Sequence, residues 1–156
     1  MRLIGYLALG SLALLVGSGC RGSTSASLQL TLSSLTYETV AGPCPPTMSC
    51  DWKLTIDGGG AAMFDDAGTA RQGVIPSDPF TQFCSFIGRP DVVDTLRNAM
   101  CPDGGPGLDT QSSLDVAFSN GPTLTRKPVE ACQGPTFDDL VSWMGRFEQG
   151  LRGGGF

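Results

Sequence analysis

The stretch from Cys50 to Phe64, CDWKLTIDGGGAAMF, decides the fold because it reads as a complete β-hairpin. Three apolar residues alternate with polar neighbours in its first half: Trp52, Leu54 and Ile56. This period of two is typical of a strand that buries one of its faces. Asp57 and Gly58 supply the positive φ that a tight turn needs, so AAMF is predicted to return as the next strand.

Further strands are expected on both sides of this hairpin. Upstream, SLQLTLSSLTYETV at 27–40 alternates leucine with polar residues, and a bulge is expected at Ser33-Ser34, where the alternation shifts by one residue. Downstream, SLDVAFSNGPTLTRKPV at 113–129 reads as a second hairpin that turns at Asn120-Gly121. Pro128 indicates an edge strand or a strand end. Together these segments predict about five strands.

Three segments have the period of a helix, at about 78–87, 91–100 and 137–150. Ser77 is expected to cap the first helix, Gly88 to end it, and Thr136 to cap the third. Met100 is placed on the inner face of the second helix. The third helix is predicted to bury one stripe of residues: Phe137, Leu140, Val141, Met144, Phe147 and Leu151. The order predicts an α+β fold, an antiparallel sheet with two or three helices packed mainly on one face.

The start of the chain has the pattern of an export signal. One positive charge, Arg2, precedes an apolar run at 3–16, which is short for a membrane-spanning helix but suits a secretory signal. Ser18, Gly19 and Cys20 follow, and they resemble the last three positions of the lipobox of bacterial lipoproteins; Gly17 stands where leucine is usual. The resemblance implies that Cys20 is lipidated on sulfur and becomes the first mature residue.

This resemblance predicts how the chain is divided and where it is found. The expected parts are a signal peptide at 1–19, the lipidated cysteine with a flexible tether at 20–27, one α+β domain at 28–151 and a glycine-rich tail at 152–156. Acyl chains on Cys20 would hold the domain at a membrane of the bacterial envelope, facing the periplasm or the cell surface. The alternative is ordinary secretion with cleavage after Ala26, which would discard Cys20.

Composition bears on several classes of function. Without Arg2 the chain carries 9 basic and 15 acidic residues, so a nucleic acid, which needs a basic face, is not an expected partner. The sequence contains no histidine, which removes the commonest general base and His-ligated zinc. The carboxylate pairs at 65–66 and 138–139 are adjacent in sequence and do not face each other across a substrate. We therefore expect no enzyme activity, no cofactor and no metal site.

The five cysteines after Cys20 are candidates for disulfides, which export permits: Cys44, Cys50, Cys84, Cys101 and Cys132. An odd number allows at most two bonds and leaves one thiol. Cys44 and Cys50 are close enough in sequence for a local bridge. The other three would then compete for one bond, with the remaining thiol buried.

The stretch AGPCPPTMSCDWKLTIDGGGAAMF, 41–64, resembles the first hairpin of a class of small exported bacterial domains of unknown function. The later order of helix, hairpin and helix also resembles emfourin, a bacterial protein inhibitor of a thermolysin-like protease. These resemblances imply a binding or structural module with a protein partner in the envelope. The alternative is a protease inhibitor that uses the proline-rich loop 42–50. The tip of this loop would consist of four residues: Pro45, Pro46, Thr47 and Met48.

Overall fold

A computed structural model describes residues 29–41, 51–102, 110–127, 129 and 131–153. The elements in chain order are β1 Leu32–Ala41, β2 Trp52–Asp57, β3 Ala61–Asp66, β4 Thr69–Val74, α1 Ser77–Ile87, α2 Pro90–Asn98, β5 Thr110–Phe118, β6 Thr123–Arg126 and α3 Pro135–Gly153. The α+β fold expected from the sequence is confirmed, with six strands in place of about five.

The strands form one sheet in the order β4-β3-β2-β1-β5-β6, and every neighbouring pair is antiparallel. The pairing of β1 with β5 shifts between Leu32 and Ser34, so the bulge expected at the serines is confirmed. The extra residue returns Leu32 to the face that Leu35 occupies, and both side chains are buried. The bulge therefore keeps the apolar face of β1 continuous although the sequence pattern is interrupted.

One face of the sheet packs against the three helices and forms the core. Its buried side chains alternate along the strands: Leu35, Tyr37, Leu54, Ile56, Ala62, Phe64, Leu114, Val116, Phe118 and Leu124. Phe83 of α1 meets the ring of Phe147 of α3 edge to face, with ring centroids 5.2 Å apart. Such aromatic contacts contribute about 0.5–1.5 kcal/mol beyond the area they bury. The other face of the sheet carries no helix among the described residues and is called here the open face.

The residues that precede β1 are tied to the ends of two other elements. The amide of Thr31 donates to the side chain of Asn120 over 2.7 Å, and Asn120 in turn donates to the carbonyl of Gln29. A Cβ on Gly88 would lie 2.5 Å from the carbonyl oxygen of Leu30. Gly88 does follow α1 as expected, but its φ is −83°, so glycine is needed there for this close backbone approach and not for a left-handed cap.

The first hairpin forms, but its turn differs from the expected one. Three glycines, 58–60, separate β2 from β3, and the positive φ falls on Gly60. One carboxylate oxygen of Asp57 accepts hydrogen bonds from the amides of Gly59 and Ala61, both at 2.9 Å. Asp57 therefore stabilises the turn with its side chain and keeps an extended backbone.

Strand β4 was not expected from the sequence. Its six residues, TARQGV, show no apolar alternation, and five of them are exposed. The strand forms because all six pair with β3 in unbroken register. Gly73 leaves space on the helix side, where a Cβ would lie 2.8 Å from a methyl group of Leu151. The side chain of Leu151 on α3 thus fills the volume that a side chain at position 73 would otherwise occupy.

Some predicted helix details are wrong. Helix α2 ends at Asn98, and Met100, expected on its inner face, is 98% exposed because the backbone becomes extended at Ala99. Helix α1 begins at Ser77 after Pro76, without a side-chain cap, and Thr136 lies inside α3. Val141, expected within the buried stripe, is exposed.

Candidate binding surfaces

Most of the residues singled out in the sequence lie outside the described part of the chain. This holds for the lipidation candidate Cys20, for two disulfide candidates and for the tip of the proline-rich loop: Cys44, Cys50, Pro45, Pro46, Thr47 and Met48. The three remaining cysteines are described.

Cys101 and Cys132 form a disulfide with their Cα atoms 4.5 Å apart. It joins the residues after α2 to the segment that leads into α3. Cys84, buried in α1, is disulfide-bonded as well. The expectation that these three cysteines compete for one bond and leave a buried thiol among them is wrong. Sequence spacing did not show that the chain returns Cys132 to the end of α2, 31 residues after Cys101.

The two ends of β1 define two ends of the sheet. We call the end that holds Gln29 and Leu30 the tether end, and the end that holds Ala41 and Asp51 the distal end. Because β1 has ten residues, these ends are roughly 33 Å apart. The described residues on either side of the proline-rich connection 42–50, Ala41 and Asp51, are both at the distal end.

A small polar groove of about 180 Å³ lies at the distal end, on the open face. Glu38 is paired across the sheet with Lys53, and Lys53 with Asp65, so charges of alternating sign cross three strands. Opposite charges on neighbouring strands stabilise a sheet by about 0.2–1 kcal/mol per pair. Among the described residues, no group of three or more Asp, Glu or Cys residues is arranged to hold a metal ion.

A larger groove of about 550 Å³ lies on the open face near β4, and we call it the open-face groove. It is mostly apolar, since Ala61, Met63 and Val74 contribute to it. Val74 is 70% exposed and Met63 is 37% exposed. Sequence reasoning missed this surface because Val74 belongs to β4, a strand that the sequence pattern did not predict.

Thr55 lies in the wall of the open-face groove, between Thr36 on β1 and Met63 on β3. Its hydroxyl oxygen is inaccessible to solvent and has no hydrogen-bond partner among the described residues. An unsatisfied buried hydroxyl costs about 1–3 kcal/mol relative to a satisfied one.

Replacing Thr55 by valine is expected to raise the free energy of unfolding by about 1 kcal/mol, because valine has the same shape and removes the unpaired hydroxyl. Denaturant unfolding of the variant measures this change. Thr125→Val is the matched control, since the Thr125 hydroxyl donates to Asp115 over 2.6 Å. We expect no stabilisation in the control, and a loss of stability in Thr55→Val would contradict the argument.

A third groove, of about 430 Å³, lies between α1 and α3. The guanidinium of Arg146 lies 4.5 Å from the ring centre of Trp143, and Arg146 also donates to the hydroxyl of Ser142. A cation held over an indole ring in this way is stabilised by about 0.5–1 kcal/mol at an exposed site. The contact orders both side chains on one wall of the groove.

Arg89 and Asp91, at the start of α2, form an exposed ion pair. Hydrogen bonds from the Arg89 guanidinium lower the pKa of Asp91 below its usual value. The stabilisation from this pair is present above the pKa of an unfolded aspartate and is lost as the pH falls. Both side chains are more than half exposed, so solvent screens the interaction.

Comparisons with protein-family models, with curated proteins and with solved structures found no match to this chain. Within the described ranges, no helix combines the length and the apolar character needed to cross a membrane.

Proposed function

We propose that this protein is a membrane-tethered bacterial lipoprotein whose folded domain is a non-catalytic binding module in the cell envelope. Acyl chains on Cys20 anchor it, residues 20–27 form the tether, and a protein of the envelope binds the distal end. The lipobox-like sequence supports the anchor, and the geometry of β1 supports the orientation.

The observation that carries the proposal is the placement of the two attachment points at opposite ends of β1. The tether would enter at Gln29, while the proline-rich connection leaves at Ala41 and returns at Asp51. A tether of eight residues spans at most about 27 Å. In a domain anchored through it, the distal end is the end farther from the anchor, and β1 adds roughly 33 Å to the reach of the tether.

The chemistry of the distal end favours recognition. The row of Glu38, Lys53 and Asp65 presents both signs of charge to a partner, and such charges confer specificity more than affinity. At the same end of β2, but on the face that packs against the helices, Trp52 is half-buried and its ring is tilted against those of Tyr37 and Phe64, with ring centroids 5.3 and 5.6 Å away. Aromatic residues of this kind are enriched at protein interfaces.

Replacing Cys20 by alanine should move the protein from the detergent phase to the aqueous phase in a detergent partition assay, because the acyl chains are lost. Ser18→Ala is the matched control, since it keeps a small residue two positions before the cysteine and should still partition into detergent. Intact mass should show the lipid on the wild-type protein. A wild-type protein in the aqueous phase, with its N-terminus near Ser27, would show ordinary secretion.

A photo-crosslinking amino acid separates distal binding from the alternatives. Lys53 at the distal end and Ser33 near the tether end are both exposed on the open face, so either position accepts the probe. Crosslinks to one envelope protein from position 53, and not from position 33, would support the proposal. The reverse pattern would contradict it. Stoichiometric inhibition of a secreted protease would favour the inhibitor alternative.

A further inference from the structure

The outer edge of β4 is unpaired by any described strand. Proteins usually protect such an edge with proline, lysine or a bulge. None of these occurs in TARQGV, and the pairing of β4 with β3 is regular over all six residues. The only charged residue, Arg71, donates a hydrogen bond to the carbonyl of Arg152 at the end of α3. Its guanidinium is therefore held against the end of α3 in the same molecule.

The ladder between β3 and β4 determines which backbone groups face outward. The amide of Ile75 donates to the carbonyl of Gly60 over 2.9 Å, so this pair is hydrogen-bonded. Hydrogen-bonded and non-hydrogen-bonded pairs alternate along an antiparallel ladder. The groups of Thr69, Arg71 and Gly73 therefore face β3. Those of a second set point away from it: Ala70, Gln72 and Val74.

We propose that β4 pairs with β4 of a second copy of this chain, antiparallel and centred on Gln72, and joins the two sheets into one of twelve strands. A twofold axis relates the copies, so each contact away from the axis occurs twice. Gln72 lies opposite Gln72 of the second copy, and Ala70 lies opposite Val74. The inference rests on the edge of β4 and is independent of the proposed tether and envelope partner.

Hydrogen bonding selects this alignment over its neighbours. Centred on Gln72, the pairs 72–72, 70–74 and 74–70 satisfy all the outward amides and carbonyls of both strands with six hydrogen bonds. If the axis moves by one residue, to Arg71 or to Gly73, only four of these hydrogen bonds can form. An axis moved further toward the C-terminus of β4 brings in Pro76, which has no amide hydrogen to donate, and one moved further toward the N-terminus brings in the turn at Gly68.

Charge and shape favour the same alignment. Directly opposite residues share a face of the sheet, so an axis at Arg71 would place two guanidinium groups against each other. Centred on Gln72, Arg71 lies opposite Gly73, which has no side chain to collide with. On the open face, each Val74 gains Ala70 of the second copy as an apolar neighbour. The exposed Val74 is thereby covered in part at each junction.

The interface would be small. Six residues from each copy bury less than the roughly 800 Å² per partner of a typical stable complex. We therefore expect a dimer that dissociates in the micromolar range and forms more readily where copies are concentrated.

Sedimentation of the purified full chain in density-matched detergent tests the proposal. The wild-type protein should shift from monomer to dimer as its concentration rises from about 1 to 300 μM, the range expected for a small interface. Gln72→Pro removes one outward amide without removing a bond to β3, and it should weaken dimerisation at least tenfold. Gln72→Thr keeps the amide and is the matched control, which should dimerise like the wild type.

A second variant covers the case in which Gln72→Pro does not fold. Gln72→Lys places like charges opposite each other and should weaken the dimer in a salt-dependent way. A wild-type protein that stays monomeric at 300 μM would overturn the proposal, as would lysine or folded proline variants that dimerise normally. Slow hydrogen exchange at Ala70, Gln72 and Val74 in the dilute monomer would also overturn it, because another segment of the chain would then cover the edge.

Discussion

Replacing Phe147 by alanine is expected to lower the free energy of unfolding by about 3–5 kcal/mol. Phe147 is 1% exposed and lies where α3 crosses α1. Its ring contacts Phe83 at 5.2 Å and Trp143 at 5.6 Å between centroids. Alanine would remove these contacts and leave a cavity that Phe83 and Trp143 cannot fill, because the two rings also contact each other and pack in fixed positions.

Val141→Ala is the control for this prediction. Val141 is on the same helix but is 43% exposed, so its truncation should change stability by about 0.5 kcal/mol or less. Denaturant unfolding followed by circular dichroism measures both variants at one pH. Equal losses in the two variants would contradict the packing of α3, because they would place Val141 in the buried stripe that the sequence pattern indicated.

Removing the Cys101–Cys132 disulfide is expected to cost about 3–4 kcal/mol, the loop-entropy value for a separation of 31 residues. The double variant Cys101→Ser, Cys132→Ser makes this change. The bond links the end of α2 to the approach to α3, so in the unfolded chain it limits how far these two segments can move apart. Without the disulfide, only the packing of the folded domain can offset the entropy lost when residues 101 and 132 are brought together.

Two observations check this second prediction. Peptide mapping without reduction should recover residues 101 and 132 in one linked fragment from the wild-type protein. Met100→Ser is the matched control, since Met100 is 98% exposed beside the bond and its replacement should be nearly neutral. A loss below about 1 kcal/mol in the double variant would show that the bond constrains little of the unfolded state.

The local pattern of the sequence was enough to predict the elements that carry their own apolar periodicity. The hairpin of β2 and β3, the bulge in β1 and the three helices were all predicted, because each buries side chains at a period that the sequence displays. The fold class followed from the order of these elements. The positions of Cys101 and Cys132 could be identified as candidates, but spacing alone could not pair them.

Strand β4 and the ends of the helices depended on tertiary structure. The residues of β4 bury almost nothing of their own, so their strand conformation comes from the ladder with β3 and from Leu151 of α3. Met100 and Val141 fit a helical period yet are exposed, because the direction of the chain after Asn98 and the crossing of α3 over the sheet determine which faces are covered.

What the sequence by itself determined is therefore the elements that carry their own apolar period, and with them the fold class. What only the tertiary structure decided is which surfaces remain open: the open-face groove, the groove between α1 and α3, and the unpaired edge of β4. The physical reason is that the spacing of apolar residues in the sequence indicates only which side of a single helix or strand is buried. A groove or a free edge is formed by residues of several elements. The positions of these elements relative to one another depend on packing between segments that are far apart in the sequence.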